Sequence, residues 1–287
     1  MISLMNPRAF TALVTPFDSN GEIDYPAVAR LLAWHEANGM DGVVVAGTNG
    51  EGPSLSAIEK RDLTKFAVQN RGKLSIISGL GTPSLTEAIW LSEQAQKAGA
   101  DAALVLPPYY YSAPSEGILA WFEKLLEKTE LPVILYNFPQ TTKILLDPPL
   151  VRRLFEHTNV LGIKDSSGDE ELLCSYLELA KAAEKKVFVG DERLILKCLQ
   201  NGGSGTISGL ANSFPLLVSR QVRERTDVLQ TIIDEAFKAI KKHPQPAVHK
   251  AVLDFKGLPG GNVRPPLVPL DKNAREEVKD FVSRFGF

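Results

Sequence analysis

Short apolar runs alternate with longer amphipathic stretches along the whole chain. The runs are rich in Val, Ile and Leu, as in GVVVA and PVILY, which is typical of strands buried on both faces. Apolar residues recur at helical spacing between the runs, for example over residues 27–38, 57–70, 85–98 and 115–128. The pattern predicts eight strands, at residues 10–14, 42–46, 74–78, 102–106, 133–136, 160–164, 186–189 and 205–208.

Signals for the start of a helix support the amphipathic intervals. Ser56 stands three residues before Glu59, and Ser84 stands three before Glu87, as in a capping box. Strands that alternate with helices predict parallel βαβ units. Eight such units predict closure into a (β/α)8 TIM barrel, an α/β fold.

An open, doubly wound sheet is the main alternative. Such a sheet more often carries a glycine-rich phosphate turn after its first strand, but here that strand runs into TPFDSNGEID, which has no G-x-G-x-x-G pattern. After the eighth strand, residues 215–256 and 275–284 have helical patterns, which is too much for one barrel helix. We therefore expect one domain, residues 1–287, in which about 215–287 form appended C-terminal helices.

Composition narrows the class of protein. Of 287 residues, 44% are hydrophobic and 23% are charged, with a net charge of -2, which gives no electrostatic reason to expect nucleic acid or an anionic membrane as a partner. The N-terminal MISLMNPR lacks the apolar stretch of a signal peptide and no later run is long enough to span a bilayer, so a cytoplasmic location is expected. Cys174 and Cys198 lie in helix-like segments, where reduced, buried thiols are expected.

The ends of the predicted strands indicate where catalytic residues should lie. In a barrel of this kind, catalytic side chains stand at the C-terminal ends of strands and in the loops that follow them. The run NGGSG precedes strand eight, so we expect it on the opposite face, in a structural role. The segments at the catalytic face are GTNGEGP from Gly47, PPYYY from Pro107, YNFP from Tyr136, GIKDSSG around Lys164, GDE from Gly190 and SGLAN from Ser208.

Lys164 carries the sharpest prediction. It ends an apolar strand and would point into an apolar barrel mouth, where burial favours the neutral, nucleophilic form of an amine. The alternative is a solvated lysine or one paired with Asp165. Tyr136 ends the adjacent strand, and its phenol can exchange the protons that imine formation requires. A second tyrosine cluster, residues 109–111, follows strand four.

The GTNGEGP loop is a candidate for binding a carboxylate. Its glycines, Gly47 and Gly50 among them, allow close approach of backbone N–H groups, and Thr48 and Asn49 add polar side chains. This suits the carboxylate of a 2-oxo acid. A plain glycine turn is an equally good interpretation of the bare motif, and Glu51 could equally be a structural carboxylate.

Metal chemistry has little support in the sequence. No histidine ends a strand, and neither an H-x-x-x-H nor a C-x-x-C pattern occurs. An aldolase made from this chain should therefore use an amine, with no metal and no cofactor. The four histidines are His35, His157, His243 and His249.

At these residues the chain resembles the dihydrodipicolinate synthase / N-acetylneuraminate lyase family of pyruvate-dependent class I aldolases. The resemblance runs almost from end to end, and the order and spacing of its motifs make it specific. The motifs are LVTPF, GTNGE, PPYYY, YNFP, GIKDSSG, VGDE, GTISGLAN and RPPLVPL.

The resemblance implies roles for individual residues. Lys164 would form an imine with pyruvate, Tyr136 would shuttle protons, and Thr48 would bind the carboxylate and relay protons. Tyr110 matches the family tyrosine that reaches into a neighbouring subunit's site, so a homo-oligomer, a tetramer or dimer, is implied. Asn49 stands where many members have threonine. The predicted substrate-binding set also includes Gly190, Ile207 and Ser208, which lie at the ends of strands seven and eight.

One departure bears on the substrate. Synthases of the family typically place an arginine after the YN-x-P motif, where this chain has Thr141, and a neutral hydroxyl cannot replace a bidentate guanidinium. The sequence therefore favours cleavage of a 2-keto-3-deoxy sugar acid or a 4-hydroxy-2-oxo acid to pyruvate and an aldehyde. The alternatives are dihydrodipicolinate synthase itself, a dehydratase of a deoxy-oxo sugar acid, and a non-catalytic 2-oxo acid binding protein.

Overall fold

Eight parallel strands close into a barrel in the order β1 to β8. The computed structural model describes residues 7–286, so the N-terminal segment used to argue against a signal peptide lies largely outside the described residues. Every predicted strand is present, and each bound agrees with the prediction to within two residues. The strands are β1 Arg8–Ala12, β2 Gly42–Val45, β3 Ser75–Gly79, β4 Ala102–Val105, β5 Val133–Asn137, β6 Val160–Asp165, β7 Lys186–Val189 and β8 Gly205–Ser208.

The largest shift is in β1, which ends two residues earlier than predicted. Leu13 N–H still donates to the carbonyl of Val44, at 2.9 Å. The next N–H, that of Val14, donates to the side chain of Asn212 at 2.9 Å, so the chain leaves the sheet there. A side chain from a distant part of the sequence sets this end, which the local apolar run LVTPF does not reveal.

Helices cover the outside of the barrel between the strands. The predicted capping box is present, since Ser56 accepts from Glu59 N–H and the Glu59 side chain accepts from Ser56 N–H. Ser84 likewise accepts from the backbone of Glu87. The first eight helices are α1 Tyr25–Ala37, α2 Ala57–Gln69, α3 Leu85–Ala98, α4 Ser115–Leu126, α5 Pro139–Thr142, α6 Pro148–Leu154, α7 Glu170–Ala182 and α8 Ile195–Gln200.

Four helices follow the last strand, in place of the two helical regions that the sequence predicted. They are α9 Pro215–Glu224, α10 Asp227–Lys241, α11 Ala247–Phe255 and α12 Lys272–Phe285. Helix α9 packs on β1 and β8, and its Ser219 donates to the carbonyl of Asn38, at the end of α1, at 2.9 Å. The closed barrel and the C-terminal helices confirm the predicted fold class; the extent of the appended part, about 215–287, stays a prediction.

The core has two parts. A larger cluster fills the space between the strands and the surrounding helices, and a smaller one fills the inside of the barrel. In the smaller cluster Phe10 and Phe188 meet edge to face, with ring centroids 5.7 Å apart. Tyr136 belongs to this inner cluster, so the barrel is packed up to the residue that ends β5.

Both cysteines are free thiols, but only Cys198 is buried as expected, and burial raises its pKa to about 12; Cys174 is half-buried. Across residues 7–286, every helix is too short or too polar to cross a lipid bilayer.

Candidate active site

Lys164 and Tyr136 lie side by side at the ends of β6 and β5. The two residues are register partners in the parallel pair, and the Lys164 Nζ lies 4.1 Å from the centroid of the Tyr136 ring. Each residue is only 4% exposed. The amine therefore lies at the barrel mouth against the tyrosine ring, the arrangement that was expected because both residues end adjacent apolar strands.

Asp165 lies beside Lys164 in sequence but has other partners. Its carboxylate accepts from the Asn137 amide at 2.8 Å and from the Ser167 hydroxyl at 2.8 Å. Asn137 in turn accepts from the N–H of Leu146 at 3.1 Å. Burial raises the pKa of Asp165, and these hydrogen bonds oppose the rise. The network joins β5 to β6 just where the lysine and the tyrosine stand.

Gly190 leaves the space that the Lys164 side chain occupies. A Cβ placed at Gly190 would lie 2.8 Å from Lys164 Cε and would overlap the hydroxyl of Ser166. A Cβ does not approach non-bonded atoms this closely, so any side chain at Gly190 would displace Lys164 or Ser166. The first position of the GDE motif must therefore be glycine if Lys164 is to keep this position.

A cavity of about 330 Å³ opens at the strand ends around the lysine and the tyrosine. A smaller, more apolar cavity of about 80 Å³ adjoins it and shares Thr48, Tyr136 and Thr141. Gly47 lines the smaller cavity. The predicted substrate-binding residues that line the larger one are Thr48, Asn49, Thr141, Gly190 and Ile207.

Three predicted site residues lie away from these cavity walls. Gly50 is buried beneath its loop, where its carbonyl accepts from the Thr15 hydroxyl at 2.7 Å. Ser208 lies behind the wall and donates to Glu192 Oε1 at 2.8 Å. Tyr110 is 86% exposed and has a left-handed φ of 96°, so within this chain it faces solvent.

Several residues that line the larger cavity were not predicted from the sequence. Asp191 and Glu192 line the larger cavity, and they belong to the GDE motif, of which only the glycine was selected. Phe237, Lys241 and His243 line it from the end of α10 and the segment that follows. No sequence signal points to these three, because the barrel rule concerns only the strand ends.

Glu51 has a structural role, one of the two alternatives that the sequence left open. It is buried, and its Oε1 accepts from Lys250 Nζ at 2.5 Å. Its Oε2 accepts from the backbone N–H of Arg264 at 2.9 Å. Both donors come from the C-terminal part of the chain, and the loop after β2 is therefore held by residues about two hundred positions away.

His35 and His249 are buried, and each is hydrogen-bonded to a hydroxyl group. Burial lowers the pKa of His35 to about 3 and that of His249 to about 3, so both are neutral near pH 7. The ring of His249 bonds to Ser213 Oγ at 2.8 Å, and that of His35 to Thr11 Oγ1 at 3.2 Å. Among residues 7–286, no three His, Cys, Asp or Glu side chains gather as a metal site would need.

A parallel barrel with a buried lysine beside a tyrosine at its mouth is typical of class I aldolases, which are lyases. A family model supports this class in particular, because the dihydrodipicolinate synthetase family matches residues 5–285. The chain therefore belongs to this family, as its motifs predicted, and is an enzyme of the lyase class.

Curated relatives and solved structures agree with the family. The chain is 35% identical over 286 residues to a 4-hydroxy-tetrahydrodipicolinate synthase of Bacillus velezensis, covering 95% of this chain and 97% of that protein. It is 38% identical over 280 residues to the Polynucleobacter asymbioticus protein of the same name, covering 93% and 91%.

Among solved structures, dihydrodipicolinate synthase DapA-2 from Bacillus anthracis superposes with a TM-score of 0.92 at 30% identity, covering 99% of each chain. A prophage protein of the dihydrodipicolinic acid synthase family from E. coli K12, in complex with pyruvate, gives a TM-score of 0.93 at 28% identity, covering 97% of this chain and 98% of that one.

Proposed function

We propose that Lys164 forms a Schiff base with pyruvate and that the protein makes or breaks a carbon–carbon bond through this imine. One observation carries the proposal: the Lys164 amine is buried at the cavity, with its Nζ 4.1 Å from the centre of the Tyr136 ring. A buried amine next to a phenol combines a nucleophile with a proton donor and acceptor.

The reaction follows from this pairing. The neutral amine attacks the C2 carbonyl of pyruvate, and the carbinolamine loses water as Tyr136 supplies the proton for the departing hydroxide. The protonated imine draws electrons from C3, which loses a proton to give an enamine. The enamine carbon then attacks an aldehyde, and water releases the product and regenerates Lys164. Thr48, Asn49 and nearby loop N–H groups would orient the pyruvate carboxylate, which lowers the barrier by fixing the geometry.

The names of the relatives favour aspartate semialdehyde as the aldehyde. The two relatives at 35% and 38% identity are both named 4-hydroxy-tetrahydrodipicolinate synthase. That reaction is the first alternative that the sequence left open, and it has better support than the sugar acid cleavage that the sequence favoured. We place condensation of pyruvate with aspartate semialdehyde first.

Cleavage of a 2-keto-3-deoxy sugar acid or a 4-hydroxy-2-oxo acid is the second candidate, and one observation favours it. Thr141 lines both cavities where an arginine is expected for a second carboxylate. Asp191, Glu192 and Lys241 line the larger cavity together, so its wall holds both acceptors and a donor for substrate hydroxyls. A neutral, hydroxylated aldehyde needs no guanidinium at the position of Thr141, whereas an anionic aldehyde would lack its usual partner there.

Borohydride reduction in the presence of pyruvate tests the imine. The reduced adduct is stable, so mass spectrometry of a digest should locate it on Lys164. An adduct on another lysine, or none, would refute the mechanism.

A substrate comparison then separates the reactions. Consumption of pyruvate with aspartate semialdehyde supports the synthase, and release of pyruvate from 2-keto-3-deoxygluconate supports the second candidate. Loss of water from that sugar acid without release of pyruvate would identify a dehydratase. Binding of pyruvate without turnover of any aldehyde would identify a non-catalytic binding protein.

The exposed tyrosines support a homo-oligomer. Tyr110 and Tyr111 are 86% and 76% exposed, although they adjoin the cavity loops. We propose that Tyr110 completes the site of a neighbouring subunit, as the family resemblance implies. Sedimentation should give a dimer or tetramer, and Tyr110→Phe should lower turnover without changing the assembly. A monomer with full activity would contradict this proposal.

A further inference from the structure

The loop after β2 is under backbone strain. Ala46 and Glu51, at its two ends, both have left-handed φ values, 54° and 55°, which cost energy for residues other than glycine. A Cβ at Gly50 would lie 2.9 Å from the carbonyl oxygen of Leu13, so the loop also packs tightly on the end of β1. Such a loop keeps its shape only if other contacts hold it.

Lys250 of α11 supplies these contacts. Its ammonium has three hydrogens, and three acceptors surround it. They are Glu51 Oε1 at 2.5 Å, the carbonyl of Thr15 at 2.7 Å and the carbonyl of Asn262 at 2.5 Å. Thr15 in turn donates through its hydroxyl to the carbonyl of Gly50 at 2.7 Å. One ammonium therefore joins the end of β1, the β2 loop and the C-terminal segment.

The pair between Lys250 and Glu51 is fully enclosed. Both residues are 2% exposed, and the ammonium lies 4.6 Å from the centroid of the Phe17 ring. Burial lowers the pKa of Lys250 to about 8, and Glu51 opposes that shift. Removing one partner of an enclosed pair leaves the other without its counter-charge, so the loop depends on both.

We propose that Lys250 is a positioning residue that sets the affinity of the site for the 2-oxo acid by holding the Thr48–Asn49 donors in place through Glu51. The proposal rests on the proposed function, because those donors matter only if they meet a carboxylate. Lys250 does not line either cavity, so it acts on the substrate only through the loop.

The test is a steady-state comparison of Lys250→Met with the wild type. At saturating aldehyde, KM for pyruvate should rise about tenfold, the equivalent of one charge-assisted hydrogen bond, while kcat falls by a smaller factor because the same donors also orient the ketone. KM for the aldehyde should not change. A variant that merely loses folded protein would show a lower kcat at an unchanged KM.

Lys185→Met is the matched control. Lys185 is also tethered to backbone carbonyls, those of His157 and Val160 at 2.8 and 2.7 Å, but at the opposite end of the barrel. It should lower the free energy of unfolding and leave KM for pyruvate unchanged. The same result for Lys250→Met would overturn the proposal.

Glu51→Gln decides the question if Lys250→Met does not fold. It keeps the size of the side chain but removes the negative charge opposite the Lys250 ammonium, so it should raise KM for pyruvate by a few-fold; an unchanged KM would overturn the proposal. Trapping on wild-type Lys164 comes first. Absence of an adduct would refute the proposed function and this inference with it, whereas normal trapping with unchanged KM values would refute the inference alone.

Discussion

Two parts of the catalytic face are built in different ways. At the ends of β5 and β6, Tyr136 and Lys164 are neighbours because they are register partners, and the Asn137–Asp165 hydrogen bond supports that register locally. The β2 loop has local backbone hydrogen bonds, such as that from Gly52 N–H to the carbonyl of Gly47 at 2.9 Å, but its buried carboxylate is held from a distance. Its Glu51 depends on Lys250, 199 residues further along the chain.

The difference separates chemistry from orientation. The sheet itself carries the two groups proposed to react, so their positions should tolerate changes elsewhere in the molecule. The loop that would orient the carboxylate relies on the C-terminal segment, so changes far from the cavity should alter substrate affinity. Substitutions in each part test this division.

The largest effect is expected at Lys164. Lys164→Met should keep the barrel and lower turnover by roughly a thousandfold or more, as removal of a nucleophile does. It should also abolish borohydride trapping with pyruvate. Lys143→Met, a change at an exposed lysine that follows β5, should do neither. Retained turnover in Lys164→Met would show that the strand ends do not carry the reacting amine.

Tyr136→Phe comes next. Loss of a general acid–base group should lower turnover by roughly a hundredfold, while the ring still packs in the barrel. Tyr176→Phe is a matched control, because its buried hydroxyl donates to the carbonyl of Leu146 on the outside of the barrel. That variant should lose about 1 kcal/mol of stability and no activity. Equal activities in the two variants would exclude Tyr136 from the reaction.

The same division explains what could be predicted from sequence. The strands and the Lys164–Tyr136 pair follow from apolar periodicity, a local property, and the rule that barrel sites lie at strand ends. The partners of Glu51 could not be predicted, because nothing near GTNGEGP indicates a lysine on α11. Phe237 and Lys241 were missed for the same reason: a helix after the last strand turns toward the mouth, and only tertiary packing reveals this.

Acid should lower the free energy of unfolding through His249 of α11. Burial lowers the pKa of His249 to about 3, against about 6.5 in an unfolded chain. Between these values the unfolded state binds a proton that the folded state does not, so the free energy of unfolding falls as the pH drops from about 6.5 toward 3. His249→Gln should reduce that loss by about 2 kcal/mol at pH 5.

Urea unfolding of the wild type and of His249→Gln, at pH 8 and at pH 5, measures the stability that each protein loses in acid. The pH 8 values give the cost of the substitution itself, since the ring is neutral in both states there. His35 is unchanged in the variant and contributes equally to both curves. If the two proteins lose the same stability between pH 8 and pH 5, His249 is not the buried neutral group described above.

The smallest effect is expected at Gly190, and it tests whether the strand ends are as self-contained as proposed. The Cβ of Gly190→Ala would lie 2.8 Å from Lys164 Cε, so the lysine must shift. A small displacement of a nucleophile should slow imine formation by about tenfold. The rate of borohydride trapping at fixed pyruvate measures it.

Gly117→Ala provides the control for this change. Gly117 lies within α4, where the nearest atom to an added Cβ is 3.7 Å away, and alanine favours a helix over glycine by about 0.5–1 kcal/mol. It should trap pyruvate at the wild-type rate and be slightly more stable. If Gly190→Ala also traps at that rate, the reaction tolerates a shifted Lys164 side chain, and the strand ends hold the amine less strictly than the contrast with the β2 loop requires.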